Sequence, residues 1–290
     1  MKSHTLTRAI SMSLAGAALS LGAASNAMAH TMYNSNGAYT NPTHIANGTD
    51  GGVNGTDGWV SAGGWVGTAG GAAPFGSVGL VTHWAGQLHS QGATLEISSQ
   101  DAFDHYGIWA DIDTAKGAWN DKGPNGGVGS QGWGHNTDVG LLKSDVTQKV
   151  TITPSTVGNA GWSNFGISVF TGMDTGSSYD HHGGWNVGYQ PASYSTPNPT
   201  PAMQSNPLGT TGLTFLTFSD SGDITFTAQA GQIYSILLGG YSGSGNFGPH
   251  AGYSLSITSA PVPVPAAVWL FGSALAGLGV LGRRKEKATA

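Results

Sequence analysis

The chain contains no cysteine, and between its two ends it contains no arginine. The lack of cysteine excludes disulfides, zinc–thiolate sites and thiol nucleophiles. Between residues 30 and 260, four lysines face fourteen acidic residues, so nucleic acid and anionic membrane surfaces are poor partners for this part of the chain. The missing guanidinium groups also remove the usual clamps for phosphate and carboxylate substrates.

Charged residues make up only 9% of the chain, whereas glycine occupies 48 of its 290 positions. This composition argues against a helical bundle. No Gly-x-Ser-x-Gly nucleophile elbow occurs in the sequence, and we expect neither an enzymatic activity nor catalytic residues. Asp111 and Asp113 lie two residues apart, on the face of a predicted strand that we expect to point outward. Such a pair of carboxylates leaves glycoside hydrolysis as an alternative.

The N-terminus has the pattern of an export signal. Lys2 and Arg8 precede an apolar run over residues 9–24, and Ala27 and Ala29 then supply the small residues that a signal peptidase accepts. The pattern predicts a signal peptide over residues 1–29, with cleavage after Ala29. The mature chain would then begin at His30.

The C-terminus has the pattern of a membrane anchor. Pro263 and Pro265 lead into an uncharged run over residues 266–282, which Arg283, Arg284 and a lysine follow. As a helix this run would rise about 25 Å, near the short limit for crossing a bilayer. We predict a transmembrane helix over residues 266–282, with the basic cluster on the cytoplasmic side.

The order of proline motif, short span and basic end resembles the PEP-CTERM sorting tail, in the form that carries Val-Pro-x-Pro-Ala-Ala. The resemblance implies an exosortase-type processing enzyme as a partner and a cell-surface or extracellular location after processing. It also implies a place in a biofilm matrix, with exopolysaccharide as a further partner. An ordinary permanent anchor is the alternative. The resemblance implies that processing of the tail depends on Pro263, Pro265, Arg283 and Arg284, whereas Ala27 and Ala29 are the residues expected to direct cleavage of the signal peptide.

Two segments divide the part between the ends. Residues 30–75 are rich in Gly, Asn and Thr, which predicts an irregular, turn-rich segment with at most one hairpin. Over residues 76–260 apolar and polar residues alternate, which predicts an all-β domain: an antiparallel, jelly-roll-like β-sandwich, with a barrel as the alternative. The alternating runs include Leu95/Ile97, Tyr106 to Ile112, Val150/Ile152, Phe165/Ile167/Val169, Ile224/Phe226 and Tyr253/Leu255/Ile257.

Three stretches of this domain, residues 165–174, 223–240 and 252–257, are similar to the sandwich of many PEP-CTERM surface proteins. They are more distantly similar to pre-peptidase C-terminal domains. The resemblance concerns the fold and implies nothing catalytic. We therefore expect, first, a non-enzymatic surface or matrix protein that needs no cofactor.

Histidine is the enriched metal-ligand type, and neutral imidazole suits copper, nickel and zinc. Asp180, His181 and His182 form a glycine-flanked turn that concentrates three potential ligands, so a copper or zinc site there is the alternative function. His30 is the expected distant contributor. His83 and His89 would stand about 20 Å apart along a strand, too far for one metal. Solvated loop histidines are the alternative interpretation.

An N-terminal His30 resembles the first residue of the histidine brace in copper polysaccharide monooxygenases, which are similar sandwiches that begin at His. The resemblance implies a copper-dependent, polysaccharide-active enzyme as a further alternative. No second histidine can be chosen from the sequence alone, although His105 is as good as any. Calcium is a third candidate ion, because Asp174 to Asp180 and Asp220 to Asp223 supply loop oxygens.

Eight tryptophans lie between the two ends of the chain, and several of them follow glycine. Indole rings displayed beside polar turns can stack on sugar rings, which would suit binding of exopolysaccharide. Tryptophans that fill the core are the alternative, because a sandwich without disulfides needs large side chains in its interior.

Overall fold

The structure is a computed structural model that describes residues 29–36, 38, 64–77, 82–120, 132–133, 137–158, 160–173, 212–242 and 250–263. The chain divides into two compact units, Met1–Ala260 and Pro261–Ala290. Within the described ranges no helix is long and apolar enough to cross a membrane, and the predicted span over residues 266–282 lies outside them.

The described part consists mainly of strands, which confirms the predicted all-β class. One α-helix, α1, spans Ser99–Tyr106 between the fourth and fifth strands, and short 3-10 turns occupy Ala69–Gly71 and Pro74–Gly76. The strands are β1 Ala29–Asn34, β2 Trp65–Val66, β3 Trp84–Leu88, β4 Thr94–Ser98, β5 Asp113–Asn120, β6 Gly132–Trp133, β7 Asp138–Ser144, β8 Gln148–Thr156, β9 Phe165–Thr171, β10 Thr214–Ser219, β11 Ile224–Ala228, β12 Ile233–Tyr241 and β13 His250–Pro261.

All described strands belong to one connected, mixed sheet, with the order β11-β8-β13-β5-β12-β7-β3-β1-β2 along its main path. Most neighbours are antiparallel, but β3 pairs with β7 and β5 pairs with β12 in parallel. The prediction of a purely antiparallel sheet is therefore wrong at these two pairs. Parallel neighbours need a long crossover, and between β3 and β7 the chain that includes β4, α1, β5 and β6 supplies it.

The sheet encloses a main core to which two groups of strands contribute. β8, β11 and β13 show the alternating burial that the sequence predicts, and their inward residues include Val150, Ile224 and Leu255. Opposite them, β3, β9 and β12 contribute Trp84 and Ile167, both fully buried, together with Ile236. β9 and β12 are buried on both faces, because further apolar clusters cover their outer side.

The strand predicted from the alternation over Tyr106 to Ile112 is wrong: Tyr106 ends helix α1, residues 107–112 belong to no strand, and β5 begins at Asp113. The Ser98 side chain accepts a hydrogen bond from the Asp101 main-chain nitrogen at 2.9 Å and so caps the start of the helix. Gly107 ends the helix in the left-handed conformation, with φ 72°. These two caps satisfy main-chain groups at both ends of the helix, and the alternation of apolar residues does not report them.

Strand register brings three chain segments together at one end of the sheet. β1 pairs with β3 so that His30 lies opposite Gln87, and β3 pairs with β7 so that Leu88 lies beside Ser144. The first residues of β1 and the residues just after β3 and β7 therefore share one corner. The first described strand, β1, spans Ala29–Asn34, so all but its first residue lie in the segment 30–75 that the sequence predicts to be irregular.

Candidate metal centre

His30 and His89 are brought together at this corner, although they lie 59 residues apart in the sequence. His30 is the second residue of β1, and His89 directly follows β3. The Nδ1 atom of His30 and the Nε2 atom of His89 are 2.9 Å apart. The two rings are stacked, with centroids 5.1 Å apart and an angle of 19° between their planes. Two imidazole nitrogens therefore face each other at hydrogen-bond distance.

Asp145, the residue after β7, orients His89 from the other side. Its Oδ2 atom lies 2.6 Å from His89 Nδ1. Its Oδ1 atom accepts a hydrogen bond of 2.8 Å from Gln87 Nε2, and its main-chain nitrogen donates to Leu88 O. A carboxylate only accepts from a histidine, so the proton of neutral His89 sits on Nδ1 and the Nε2 lone pair points toward His30.

The electrostatics of the corner favour uncharged imidazole at His30. Burial is the main cause of a lowered His30 pKa, and the neighbouring His89 lowers it further, whereas Asp145 acts in the opposite direction. Burial alone would raise the pKa of Asp145, but hydrogen bonds from His89 and Gln87 outweigh burial and lower it. The side chains of His89 and Asp145 are 32% and 36% exposed, so an ion from solvent can reach them.

A polar cleft of about 480 Å³ adjoins His30 on the side of helix α1. Glu96, Asp101, His105 and Tyr106 are among the residues that line it. His105, the suggested second brace ligand, has its Nδ1 atom 3.1 Å from Asp101 Oδ1 and 3.0 Å from the Asp101 main-chain oxygen. The structure thus directs the ring of His105 to its own helix, and the histidine that faces His30 is His89.

Asp101 is the central acceptor of that cleft. Its Oδ2 atom accepts hydrogen bonds from Tyr33 at 2.7 Å and from Thr31 at 2.9 Å. Burial, followed by the charge of Asp101, raises the pKa of the Tyr33 hydroxyl. The donors of both hydrogen bonds lie on β1, so these bonds fix helix α1 against the strand that carries His30.

His83 lies in the interior and belongs to a buried polar network. The Trp84 indole donates to the Tyr253 hydroxyl at 3.0 Å, and that hydroxyl donates to Asp138 Oδ2 at 2.7 Å. Asp138 Oδ1 is 3.7 Å from His83 Nε2, and His83 Nδ1 accepts from the Val139 main-chain nitrogen. His83 and Asp138 are at most 2% exposed, so this network is closed to solvent.

The prediction that Asp111 and Asp113 point outward is wrong, because the two residues are only 4% and 6% exposed. Both lie close enough to Asp138 for their charges to raise its pKa. The pair is therefore part of the interior around Asp138, where it cannot flank a sugar in solvent.

Most of the other predicted site residues lie outside the residues that the structure describes. Asp180, His181 and His182 lie outside it, as do Asp174, Ala27, Pro265, Arg283 and Arg284, whereas Ala29 and Pro263 lie inside it. Asp220 and Asp223 are exposed in the turn between β10 and β11. Across the described ranges, no group of three or more His, Asp or Glu side chains is placed to hold one ion.

The described tryptophans mostly fill the core. Trp84 and Trp119 are at most 1% exposed and Trp65 is 5% exposed, so none of the three can stack on a sugar. Trp109 is half-buried and stacks on Phe103, with ring centroids 4.2 Å apart. Trp59 and Trp185 lie outside the described residues.

No protein-family model and no curated protein matches the chain. Among solved structures it is similar to CorA of Methylomicrobium album BG8, a surface-associated copper-binding protein important in copper acquisition, with 14% identity and a TM-score of 0.25 over 52% of this chain and 92% of CorA. It is also similar to MopE of Methylococcus capsulatus, a secreted protein in which an oxidized tryptophan facilitates copper binding. That match has 8% identity and a TM-score of 0.27 over 52% of this chain and 84% of MopE. Likenesses of this size assign neither the fold nor the function.

Proposed function

We propose that this chain is an exported surface protein that binds copper through His30 and His89. The observation that carries the proposal is the 2.9 Å separation of His30 Nδ1 and His89 Nε2 at an accessible corner of the sheet. Asp145 fixes the His89 ring so that its Nε2 lone pair faces the same point. In metal sites a carboxylate commonly holds a ligand histidine in this way.

The donor set and its spacing fit a transition metal. Two nitrogens bonded to one ion at about 2.0 Å and at right angles stand about 2.8 Å apart, close to the observed 2.9 Å. Imidazole suits copper, nickel and zinc, and among divalent ions of the first row copper forms the most stable complexes with such ligands. His30 and His89 would hold the copper ion, which would form a stable complex at the surface of the protein. The proposal requires no enzymatic step.

The site suits copper, nickel and zinc better than calcium, because calcium takes six to eight oxygen ligands. Its nearest carboxylate, Asp145, already accepts hydrogen bonds from His89 and Gln87 and is thereby committed to orienting His89. Magnesium also prefers oxygen ligands and is a poor fit for the same reason.

Calorimetric titration with Cu(II) and Zn(II) tests the proposal on residues 30–290, purified in detergent. We expect Cu(II) to bind in a ratio of one ion per chain, with a Kd below about 1 μM, and to bind more tightly than Zn(II). His89→Ala should weaken Cu(II) binding by about 10-fold or more, because it removes one ligand. Asp145→Asn should weaken it by about 10-fold, because it releases the ring.

Two matched variants separate this corner from the other histidines. His105→Ala removes an exposed imidazole beside the neighbouring cleft, and His181→Ala/His182→Ala removes the pair in the glycine-flanked turn. Both variants should bind Cu(II) as the parent does. An unchanged Kd in His89→Ala, or a loss of binding in either control, would place the copper elsewhere and contradict the proposal.

The proposed surface location rests on the sequence patterns at the two ends, and mass spectrometry of the protein recovered from outside the cell tests it. We expect the first residue to be His30 and the chain to end near Pro265, because export and sorting would remove both terminal segments. An intact N-terminus would contradict export through this signal. A retained tail over residues 266–285 would indicate a permanent anchor instead of sorting.

A further inference from the structure

Strand β10 ends one branch of the sheet and carries no charge. Across the described ranges it pairs only with β9, so no strand lies along its other edge there. Its six residues include neither a charged residue nor a proline, two devices that commonly keep sheet edges from pairing. Leu216 and Phe218 of this strand are 41% and 40% exposed. The edge of β10 therefore presents main-chain groups beside exposed apolar side chains.

A bulge in β10 gathers its two phenylalanines on one face. The pairing with β9 skips Leu216, which is the extra residue of the bulge. In a regular strand Phe215 and Phe218, three residues apart, would lie on opposite faces. Here Phe215 packs on Phe170 and Phe218 stacks on Trp119, with ring centroids 5.7 and 6.0 Å apart. Both phenylalanines thus lie over the same outer apolar cluster.

Strand β11, at one end of the main path of the sheet, has a different surface. Its three apolar residues are buried, and its outward residues are Thr225 and Thr227. The Thr225 hydroxyl is 2.8 Å from that of Thr151 on the neighbouring strand. Exposed apolar residues are therefore not a general property of the end strands in this sheet, and their presence on β10 indicates an interaction surface.

We propose that two copies of the chain pair through their β10 strands in an antiparallel dimer with a two-fold axis. Adding a strand to a free sheet edge is a recurring mode of association. Charge favours a second copy at this edge and this orientation. The excess of acidic residues makes copies repel elsewhere, but residues 213–219 carry no charge. The antiparallel pairing sets Asp220, which follows β10, beside Leu213 of the second copy and away from the other Asp220.

The bulge also fits the register of this pair. When the axis passes between Leu216 and Thr217, Phe215 of each copy lies opposite Phe218 of the other. Opposite residues in an antiparallel pair point to the same side of the sheet, and the bulge meets this condition because it places both phenylalanines on the outer face. Four phenylalanine rings then form one cluster across the axis. The pairing uses the β10 edge of both copies, so it closes at two.

The dimer goes beyond the proposed copper site and does not rest on it. Four strands, β3, β7, β12 and β9, lie between β1 and β10 in the sheet. At about 4.8 Å per strand, His30 on β1 lies roughly 24 Å from β10 along the sheet. The two copper sites of the dimer therefore stay separate and open to solvent.

Light scattering after size-exclusion chromatography tests the dimer on residues 30–290 in a mild non-ionic detergent, over a dilution series from about 100 to 1 μM. We expect the protein mass of a dimer, with a Kd below about 10 μM. Leu216→Lys should weaken the dimer by about 100-fold or more, because it sets two like charges beside the axis. Thr225→Lys adds the same charge to β11 and should leave the mass unchanged, as should His89→Ala.

The lack of cysteine in the chain allows a direct test of the register. In Leu216→Cys the two new thiols lie next to each other across the axis, so mild oxidation should join two chains by a disulfide. Thr225→Cys is the matched control on the other end strand and should remain a single chain.

A parent chain that is monomeric at about 100 μM, or a dimer of unchanged Kd in Leu216→Lys, would overturn the inference. Assemblies that grow beyond two copies would overturn the closed pairing. Circular dichroism of Leu216→Lys should match that of the parent, because Leu216 is exposed. If the spectra differ, the cysteine variants decide, and equal crosslinking of Leu216→Cys and Thr225→Cys would overturn the inference. Each of these outcomes leaves the proposed function standing, because Cu(II) binding is measured separately.

Discussion

Gly140→Ala is expected to destabilise the fold by about 3 kcal/mol or more, although glycine is normally a poor residue for a strand interior. Gly140 lies in β7 beside Trp84 of β3, and the indole ring covers it. A Cβ atom at this position would overlap Cε2 and Cζ2 of Trp84. The buried ring would have to move and would lose its hydrogen bond to Tyr253.

Urea denaturation of Gly140→Ala and Gly86→Ala measures this effect. Gly86 is a matched control, because it is likewise a buried strand glycine, in β3, and the three atoms nearest to an added Cβ would be leucine methyl carbons, the closest at 2.9 Å. Gly86→Ala should change the free energy of unfolding by less than about 1 kcal/mol. In a Trp84→Leu background, Gly140→Ala should lose much of its effect. A neutral or stabilising Gly140→Ala would show that the ring does not need this space.

Trp119 and Gly166 repeat this arrangement in another part of the sheet. A Cβ atom at Gly166 would overlap the Trp119 ring, whose indole nitrogen donates to Ser168 at 3.0 Å. The abundance of glycine in this chain therefore has two physical origins. Some glycines serve turns, and these two leave room for indole rings that help replace the missing disulfides as a source of stability.

The sequence predicts those strands whose two faces differ in environment. β8, β11 and β13 alternate between buried and exposed residues, and their pattern is readable because one face meets solvent. β9 was also predicted, from Phe165, Ile167 and Val169, although glycine, serine and phenylalanine are buried on its other face. Helix α1 carried its own signal in the spacing of Ser98 and Asp101, but the alternation that follows Tyr106 concealed it.

The candidate site could be predicted only in part. His30 was identifiable, because the signal sequence places it at the new N-terminus and imidazole is a metal ligand. His89 was not identifiable as its partner, because that contact depends on the register between β1 and β3 across 59 residues. Asp145 is 56 residues from His89 in the sequence and reaches it only because β7 runs parallel to β3. No local pattern encodes either pairing.

The buried network around Asp138 is expected to give two single variants opposite dependences of stability on pH. Burial lowers the pKa of His83 from 6.5 to about 4, so the folded state resists protonation that the unfolded state accepts. The stability that the lowered His83 pKa gives the folded state is present above pH 6.5 and is lost as the pH falls toward 4. The free energy of unfolding decreases by about 3 kcal/mol over this range. Burial and the nearby Asp111 raise the pKa of Asp138, so the folded state retains a proton that the unfolded state releases. The stability that the raised Asp138 pKa gives the folded state is present at low pH and is lost as the pH rises above 3.8.

The two contributions oppose each other in the parent chain, and each variant should reveal one of them. Asp138→Asn removes the Asp138 contribution and leaves that of His83, so its stability should fall between pH 6.5 and 4 relative to the parent's change. His83→Asn keeps an acceptor for the Val139 nitrogen and removes the His83 contribution, so its stability should rise by about 3 kcal/mol over the same range relative to the parent's. Asp113 and Tyr253 also face Asp138, but they are common to all three proteins and cancel in the differences. Urea denaturation at pH 4, 5, 6.5 and 8 measures the slopes, and parallel curves for the two variants would contradict the assignment of neutral His83 and protonated Asp138 to the folded state.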